Sequence, residues 1–232
     1  MDLSVGIPMF NEEGNVFKIE KELFPVLRKL SLKSELIVVD DGSKDKTAFL
    51  VSKLQKKFPS VKLVKHKRNL GLGAAINSII QNSKGKYIIM LDGDFTYKPE
   101  EMPKLLEFKN FDIVNGSPYL EKNSMQDVSF IRKLLSVGIN SIYAFLIGKK
   151  LSCFTGIFRC YNAEKLKKIK IESSDFISLT EILLKMLKKN ASIKEIPVTL
   201  HQREFGETKI NTVKEIKNHL RIIFSLLLGR FK

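Results

Sequence analysis

The sequence predicts an α/β domain with a mostly parallel sheet flanked by helices, and three observations lead to that expectation. Short apolar runs rich in β-forming residues alternate with segments of helical periodicity through the first half of the chain, a pattern that calls for right-handed crossovers between parallel strands. The run Tyr87 to Leu91 is apolar on both faces, as a strand buried inside a parallel sheet must be. Three runs end in polar clusters, Pro8-Met-Phe-Asn-Glu-Glu13, Asp40-Asp-Gly-Ser43 and Asp92-Gly-Asp94. In an open α/β sheet the carboxyl ends of the strands border the ligand crevice, so these clusters should share one edge.

Taken in order, Leu3 to Ile7 is the first expected strand, stopped by Pro8. Asn11 is the expected N-cap of a helix whose apolar positions Val16, Ile19, Leu23, Val26, Leu27 and Leu30 share one face. Leu36 to Val39 is the second strand, and Thr47 to Phe58 a helix with Leu50, Val51, Leu54 and Phe58 inward. Val61 to Val64 is the third strand and Gly73 to Gln81 the next helix, ahead of the central run. Pro99 suits a helix N1 position, with Met102, Leu105 and Leu106 on the buried side, and Ile113 to Asn115 is a fifth strand. The first ~120 residues therefore read as a Rossmann-like, nucleotide-binding half.

The second half is less regular. Residues 120–129 are a polar loop, Phe130 to Ile147 a helix with an unusually wide apolar face, and Thr155 to Tyr161 a strand near the site. Leu179 to Lys188 is a helix, and Ser192 to Leu200 a strand interrupted around Pro197. The last helix, Thr212 to Arg230, sets an apolar stripe of Ile216, Leu220, Ile223, Phe224 and Leu227 beside the basic Lys214, Lys217, Arg221 and Arg230. That pattern suits a helix lying in a membrane interface, and equally one packed on the sheet or on a partner. With no repeat and no long linker, residues 1–210 form one domain, with halves at about 1–120 and 121–210, and 211–232 is an appended helix.

Composition narrows the function. A chain of 232 residues with 44% hydrophobic and 28% charged residues is globular rather than disordered. Its 40 Lys and Arg against 25 Asp and Glu give a net charge of +15, which favours polyanions: nucleic acid, an anionic membrane or phosphorylated substrates. No helix-turn-helix, zinc-finger or RNA-recognition signature is visible, so nucleic acid is not expected. Cys153 and Cys160 make neither a disulfide framework nor a four-thiolate zinc site. Neither a signal peptide nor a spanning helix is expected; the nearly apolar stretch Val137 to Ile147 covers about 11 residues, against roughly 20 for a bilayer. A dehydrogenase is disfavoured because Gly71 and Gly73 lack a third glycine and a following acidic residue. His66, His201 and His219 show no metal-ligand spacing and are read as structural or solvated.

Asp92 and Asp94 carry the most chemistry. Two carboxylates one residue apart repel each other unless a cation lies between them, and hard oxygen ligands suit Mg²⁺ or Mn²⁺ held jointly with substrate phosphates. Gly93, without a Cβ, would let backbone approach that ligand closely. Taken alone, the tripeptide reads first as a solvated Asp-Gly turn, since such tripeptides are common turns.

Eight stretches in order change that balance: Ile7-Pro-Met-Phe-Asn-Glu12, Val38-Val-Asp-Asp-Gly-Ser43 with Asp45 and Thr47, Asn69-Leu-Gly-Leu-Gly73, Asp92-Gly-Asp94, Gly116-Ser117, Arg132-Lys-Leu-Leu-Ser136, Thr155-Gly-Ile-Phe158 and Arg203-Glu-Phe-Gly-Glu-Thr-Lys209. With them the chain resembles the family-two glycosyltransferases of GT-A fold, within them the polyprenyl-phosphate branch that dolichol-phosphate mannose synthases typify. The resemblance implies that Pro8, Phe10, Glu12, Val39 and Asp41 line the nucleotide pocket, with Asp41 rather than Asp40 meeting the base and Asp40 fixing the loop. It implies that Asp92 and Asp94 hold the metal against the donor diphosphate, with Gly93 and Ser117 beside the substrate. Arg132, Ser136, Arg203 and Lys209 would clamp phosphate oxygens of donor and acceptor.

The implied reaction transfers a sugar, with inversion, from a nucleotide diphospho-sugar of the GDP-mannose or UDP-glucose type to a polyprenyl phosphate at the cytoplasmic face of a membrane. The protein would sit there peripherally, with a membrane-protein partner or a second copy left open. A lipid phosphate is already anionic near neutral pH, its second pKa being about 6, so no general base is required. The chain has no Trp, which argues against the processive synthases with their Gln-x-x-Arg-Trp signature. It also departs from the common pattern: Asp-Ala-Asp-Leu-Gln is Asp92-Gly-Asp-Phe-Thr96, Gly-Ser-Arg-Tyr is Gly116-Ser-Pro-Tyr119, and an Asp-Pro is Ser152-Cys153. Two rival readings remain, transfer to a saccharide hydroxyl and a non-catalytic nucleotide- or nucleic-acid-binding protein.

Overall fold

The computed structural model describes residues 1–122, 124–125, 130–206 and 212–231, with the side chains of 130–132 and 212 outside the description. Its strands are β1 (Leu3–Met9), β2 (Ser34–Asp40), β3 (Val61–Lys65), β4 (Tyr87–Met90), β5 (Ile113–Ser117), β6 (Arg159–Asn162) and β7 (Ile193–Pro197). They form one seven-stranded sheet in the order β3-β2-β1-β4-β6-β5-β7. Only β6 runs against its neighbours, antiparallel to both β4 and β5. The chain winds outward from β1 to β3 and then returns to place β4 on the other side of β1, which opens a crevice above their carboxyl ends.

The helices are α1 (Phe24–Lys29), α2 (Thr47–Lys57), α3 (Leu72–Asn82), α4 (Met102–Glu107), α5 (Phe130–Ile147), α6 (Ala163–Lys167), α7 (Ser178–Lys188) and α8 (Thr212–Leu227). Alternation along the strands builds a core on each face: Leu36 and Val38 of β2 pack with α1, α2 and α4, whereas Ile37 and Val39 pack with α3, α6 and α7.

Several expectations change in the structure, each for an identifiable reason. Pro8 does not stop β1, which continues to Met9. The Gly6 carbonyl accepts from Leu91 N–H, so Pro8, two residues on, turns its nitrogen to the same side, where β4 has already ended and no ladder bond is lost. Asn11 does not cap a helix; it takes a φ of 52° and its side chain accepts from the Lys44 N–H at 2.8 Å. Helical structure starts as a 3₁₀ turn at Glu13–Asn15 and widens into a π turn at Ile19–Leu23 just before Pro25, whose ring excludes a regular hydrogen bond there. The strand expected from Thr155 begins only at Arg159, because side chains hold the preceding backbone: Ser152 and Cys153 N–H groups donate to Glu195, and Phe154 N–H donates to Asn140.

Arg159 is fully buried. Its guanidinium donates to the Phe154 and Leu179 carbonyls, both at 2.8 Å, and to Asn115 Oδ1 at 2.6 Å, while Asn115 donates to Glu195 at 2.8 Å. A buried cation matched by that many acceptors pins the loop before β6 to β5, β7 and α7 at once.

α5 and α8 pack on one another through Tyr143, whose hydroxyl lies 2.9 Å from His219 Nδ1. Burial pushes the His219 pKa down from 6.5 to about 4. α8 ends at Leu227 rather than Arg230, because Gly229 turns at φ 64° and the Arg230 N–H folds back to the Ser225 carbonyl. The outward faces stay apolar: Leu134, Leu135, Ile142 and Phe145 on α5, and Ile216, Leu220, Phe224 and Leu227 on α8. Ile223, placed in the same stripe from sequence, is instead buried with Ile222 in the core. Among the described residues no helix is long and apolar enough to cross a membrane.

Candidate active site

The loops after β1 and β2 are joined by side chain to backbone bonds. Asn11 N–H donates to Ser43 Oγ at 2.9 Å, Glu12 N–H to Thr47 Oγ1 at 2.8 Å, and Glu13 N–H to Asp45 at 3.1 Å, while Lys46 N–H returns to Glu13 at 2.8 Å. The polar residues of the two motifs therefore satisfy each other and hold the rim of the crevice. Pro8 and Phe10 are half-buried there, whereas Val39 lies wholly in the core beneath.

The two neighbouring aspartates are held differently. The Asp41 carboxylate accepts from the Leu70 N–H at 3.0 Å and the Gly71 N–H at 2.8 Å, and His66 Nδ1 lies 2.6 Å away. The other ring nitrogen of His66 reaches Ser78 at 2.8 Å, so His66 fastens the residue 66–71 loop to α3. Asp41 thus fixes a loop, the task expected of Asp40, while Asp40 Oδ1 is buried without a hydrogen-bond partner among the described residues.

Beyond β4 the Asp92 and Asp94 carboxylates flank a tight turn. Thr96 Oγ1 donates to Asp92 at 3.4 Å and Thr96 N–H to Asp94 at 3.0 Å. Burial, and then the Asp94 charge, push the Asp92 carboxyl well above the ordinary carboxylate range, and Glu12 adds to the repulsion. Gly93 serves this turn differently from the ligand-facing role expected: a Cβ there would meet the Pro8 carbonyl oxygen at 2.6 Å, so its bare face docks the turn onto β1.

The turn fits a hard divalent cation. No cluster of three His, Cys, Asp or Glu able to hold a metal occurs among the described residues. Two carboxylates, one of them held back from ionising by burial and by its neighbour's charge, and a nearby hydroxyl make an incomplete oxygen set of the kind that Mg²⁺ completes with phosphate and water. The positive charge at hand is Arg203, whose guanidinium lies 2.5 Å from Asp94 Oδ2. It comes from far along the chain, on a stretch fastened beside the turn by the Tyr97–Leu200 bridge and by His201 N–H to the Thr96 carbonyl at 2.8 Å.

The other expected clamps divide. Ser117 is fully buried with its hydroxyl 2.6 Å from Ser152 Oγ, so it braces the loop before β6 and does not face a ligand. Ser136, on α5, bonds the Tyr119 hydroxyl and ties that helix to the end of β5. Lys209 and the side chain of Arg132 lie outside the described residues. Sequence reading missed Lys18, Lys98 and Glu204, which meet beside Arg203, and the Arg159 cluster. A lysine among the apolar positions of the first helix and an arginine in an apolar strand were the available signals.

Residues 4–170 match the family described as Glycosyl transferase family 2. Over 231 residues the chain is 31% identical to the dolichol-phosphate mannosyltransferase of Pyrococcus furiosus, covering 98% of this chain and 64% of that protein, so it spans just under two thirds of that relative's length. It is 27% identical over 238 residues to the dodecaprenyl-phosphate galacturonate synthase of Rhizobium johnstonii, covering 100% of this chain and 68% of that one. In fold it is similar to the glucosyl-3-phosphoglycerate synthase of Mycobacterium tuberculosis, solved with Mn²⁺, UDP and glucosyl-3-phosphoglycerate. That likeness has a TM-score of 0.71 at 16% identity and covers 99% of this chain and 80% of that one.

Proposed function

The chain belongs to glycosyl transferase family 2, and from that premise we propose that it moves a sugar, with inversion, from a nucleotide diphospho-sugar to a polyprenyl phosphate. The observation that carries this reading is the meeting of the Asp92–Asp94 pair with Arg203 above the carboxyl end of β4. The named lipid phosphates of the Pyrococcus and Rhizobium relatives support the acceptor class, and the UDP and Mn²⁺ held by the Mycobacterium enzyme support the donor class and the cation. GDP-mannose and UDP-glucose are the donor types to test first.

In this reading an acceptor phosphate oxygen attacks the anomeric carbon while the bond from that carbon to the donor diphosphate breaks. The attacking oxygen carries no proton, so the site needs no base; it must instead align two anions and stabilise the one that leaves. Asp92 and Asp94, with Thr96 beside them, would hold Mg²⁺ or Mn²⁺, which when bound supplies Lewis-acid stabilisation of the departing diphosphate. Arg203 turns its guanidinium to the same oxygens, and Arg132, Ser136 and Lys209 serve the phosphates from the acceptor side. Pro8 and Phe10 border the nucleoside and Glu12 braces its rim. Asp41 meets the base donors with the acceptor capacity its carboxylate keeps beside the Leu70 and Gly71 N–H groups, a carboxylate offering about four acceptor sites.

The apolar outer faces of α5 and α8, with Lys214, Lys217, Arg221 and Arg230 beside them, rest on the cytoplasmic face of a membrane, where a lipid acceptor is found. The test is to incubate the protein and Mg²⁺ with a panel of nucleotide sugars and polyprenyl phosphates in vesicles. Sugar-labelled lipid is expected. Label on a free saccharide hydroxyl, or release of nucleotide with no labelled lipid, would overturn the acceptor assignment.

A further inference from the structure

Arg203 lies on residues 201–206, a stretch without helix or strand, yet it is fixed on both sides. On one side His201 N–H donates to the Thr96 carbonyl at 2.8 Å, tying the stretch to the carboxylate turn. On the other, the Glu204 carboxylate meets Lys18 at 3.1 Å and Lys98 at 3.2 Å, while Lys98 also reaches Glu22 at 3.3 Å. Phe205 follows directly, its ring edge-on to Phe17 with centroids 6.0 Å apart and 5.5 Å from Lys18 Nζ. Gly14 makes room for it, since a Cβ there would stand 3.2 Å from Phe205 Cβ.

Lys18 is the unusual member of this group. It is 1% exposed, and lysine is rarely buried without an anion to meet it. Its partner Glu204 is 51% exposed, so solvent screens the pair and folding gains little from it. A buried lysine that adds little to stability still selects one geometry for the part of the loop beyond the backbone bond at His201.

Building on the transferase reading, we propose that Lys18 is a positioning residue for the transfer. Through Glu204 and Phe205 it holds the 201–206 strap so that the Arg203 guanidinium already stands at the Asp92–Asp94 pair when the diphosphate begins to leave. The arrangement spans three parts of the chain: the helical turns after β1, the turn after β4, and the stretch after β7. A guanidinium set in place by folding needs no ordering during the reaction, which is where a clamp gains its effect.

The test compares full-length wild type with Lys18→Met, Lys18→Arg and Phe205→Ala. Two measurements are made: donor titrations of transfer to polyprenyl phosphate, and hydrogen exchange of peptides covering residues 201–206. Lys18→Met should lower kcat about tenfold or more, with KM for the nucleotide sugar moving less than about threefold, and should speed exchange in the strap. Lys18→Arg should restore most of both, and Phe205→Ala, at an exposed position, should act in the same direction. Wild-type kcat in Lys18→Met, or strap exchange unchanged in both Lys18→Met and Phe205→Ala, would overturn the proposal. Absence of any wild-type transfer would instead sink the functional reading, and the exchange comparison would still decide whether Lys18 fixes the strap.

Discussion

The donor edge of the sheet and the half built around β6 solve the burial of polar groups in different ways. At the donor edge the partners are motif residues about thirty positions apart: Asn11 with Ser43 and Lys44, Glu12 with Thr47, Glu13 with Asp45. In the other half a buried cation, Arg159, gathers Asn115, Phe154 and Leu179, and Arg203 crosses from beyond β7 to Asp94. The first region can assemble as β1, β2 and β4 pair. The second takes its geometry only when the whole sheet is closed. A site that draws its acidic residues from the first region and its cation from the second is complete only in the finished fold.

The sharpest way to break this comparison is at the join. Asp94→Asn should reduce transfer on the order of 10³-fold, and Arg203→Ala on the order of 10²-fold, in a nucleotide-sugar assay. Neither should lower the melting temperature of the metal-free protein much: an asparagine oxygen still accepts from Thr96 N–H, and Asp92 loses the neighbour whose charge crowds it. Undiminished transfer by Asp94→Asn would remove the proposed metal role.

Arg159→Met probes the second region alone. It removes a charged donor from the Leu179 and Phe154 carbonyls, the latter keeping only Thr180 Oγ1 at 3.2 Å among the described residues, and from the Asn115 oxygen, and chemical denaturation should show a loss of about 3 kcal/mol. A variant of wild-type stability would mean that this cluster does not hold the half together.

A smaller effect is expected where α5 and α8 meet solvent. Phe145 is 85% and Phe224 60% exposed, so replacing both with serine should leave stability unchanged. Each buried phenylalanine contributes about 1.5 to 3 kcal/mol, so sedimentation with anionic vesicles should fall steeply. Vesicle binding equal to wild type would assign these faces to a protein partner instead.

A different effect is a slope with pH. His219 titrates at about 4 in the folded protein against 6.5 in its ordinary state, so between those values the unfolded chain binds the extra proton. Stability should decline as pH falls from 6.5 and level off below about 4, and His219→Asn should flatten that part of the denaturation profile.

Much of this molecule was legible residue by residue. Strand runs, the helix Phe130–Ile147 and the acidic clusters at strand ends follow from periodicity and turn chemistry, which act over a few residues. The continuation of β1 through Pro8 was not legible, because it depends on where a different strand stops. Nor were the bonds of Asp41 to its own loop, the inward turn of Gly93 and Ser117, or the burial of Ile223 beside an exposed Phe224.

By itself the sequence determined the fold class, the edge on which polar groups gather and the residue types available there, since local pattern and motif order specify these. Only the tertiary structure decided which carboxylate is bound by its own loop, that the Arg203 guanidinium stands at Asp94, and that Lys18 lies buried beside that pair. Each of those outcomes depends on a partner 25 or more residues away, and hydrogen bonding between such distant groups leaves no periodic trace along the chain.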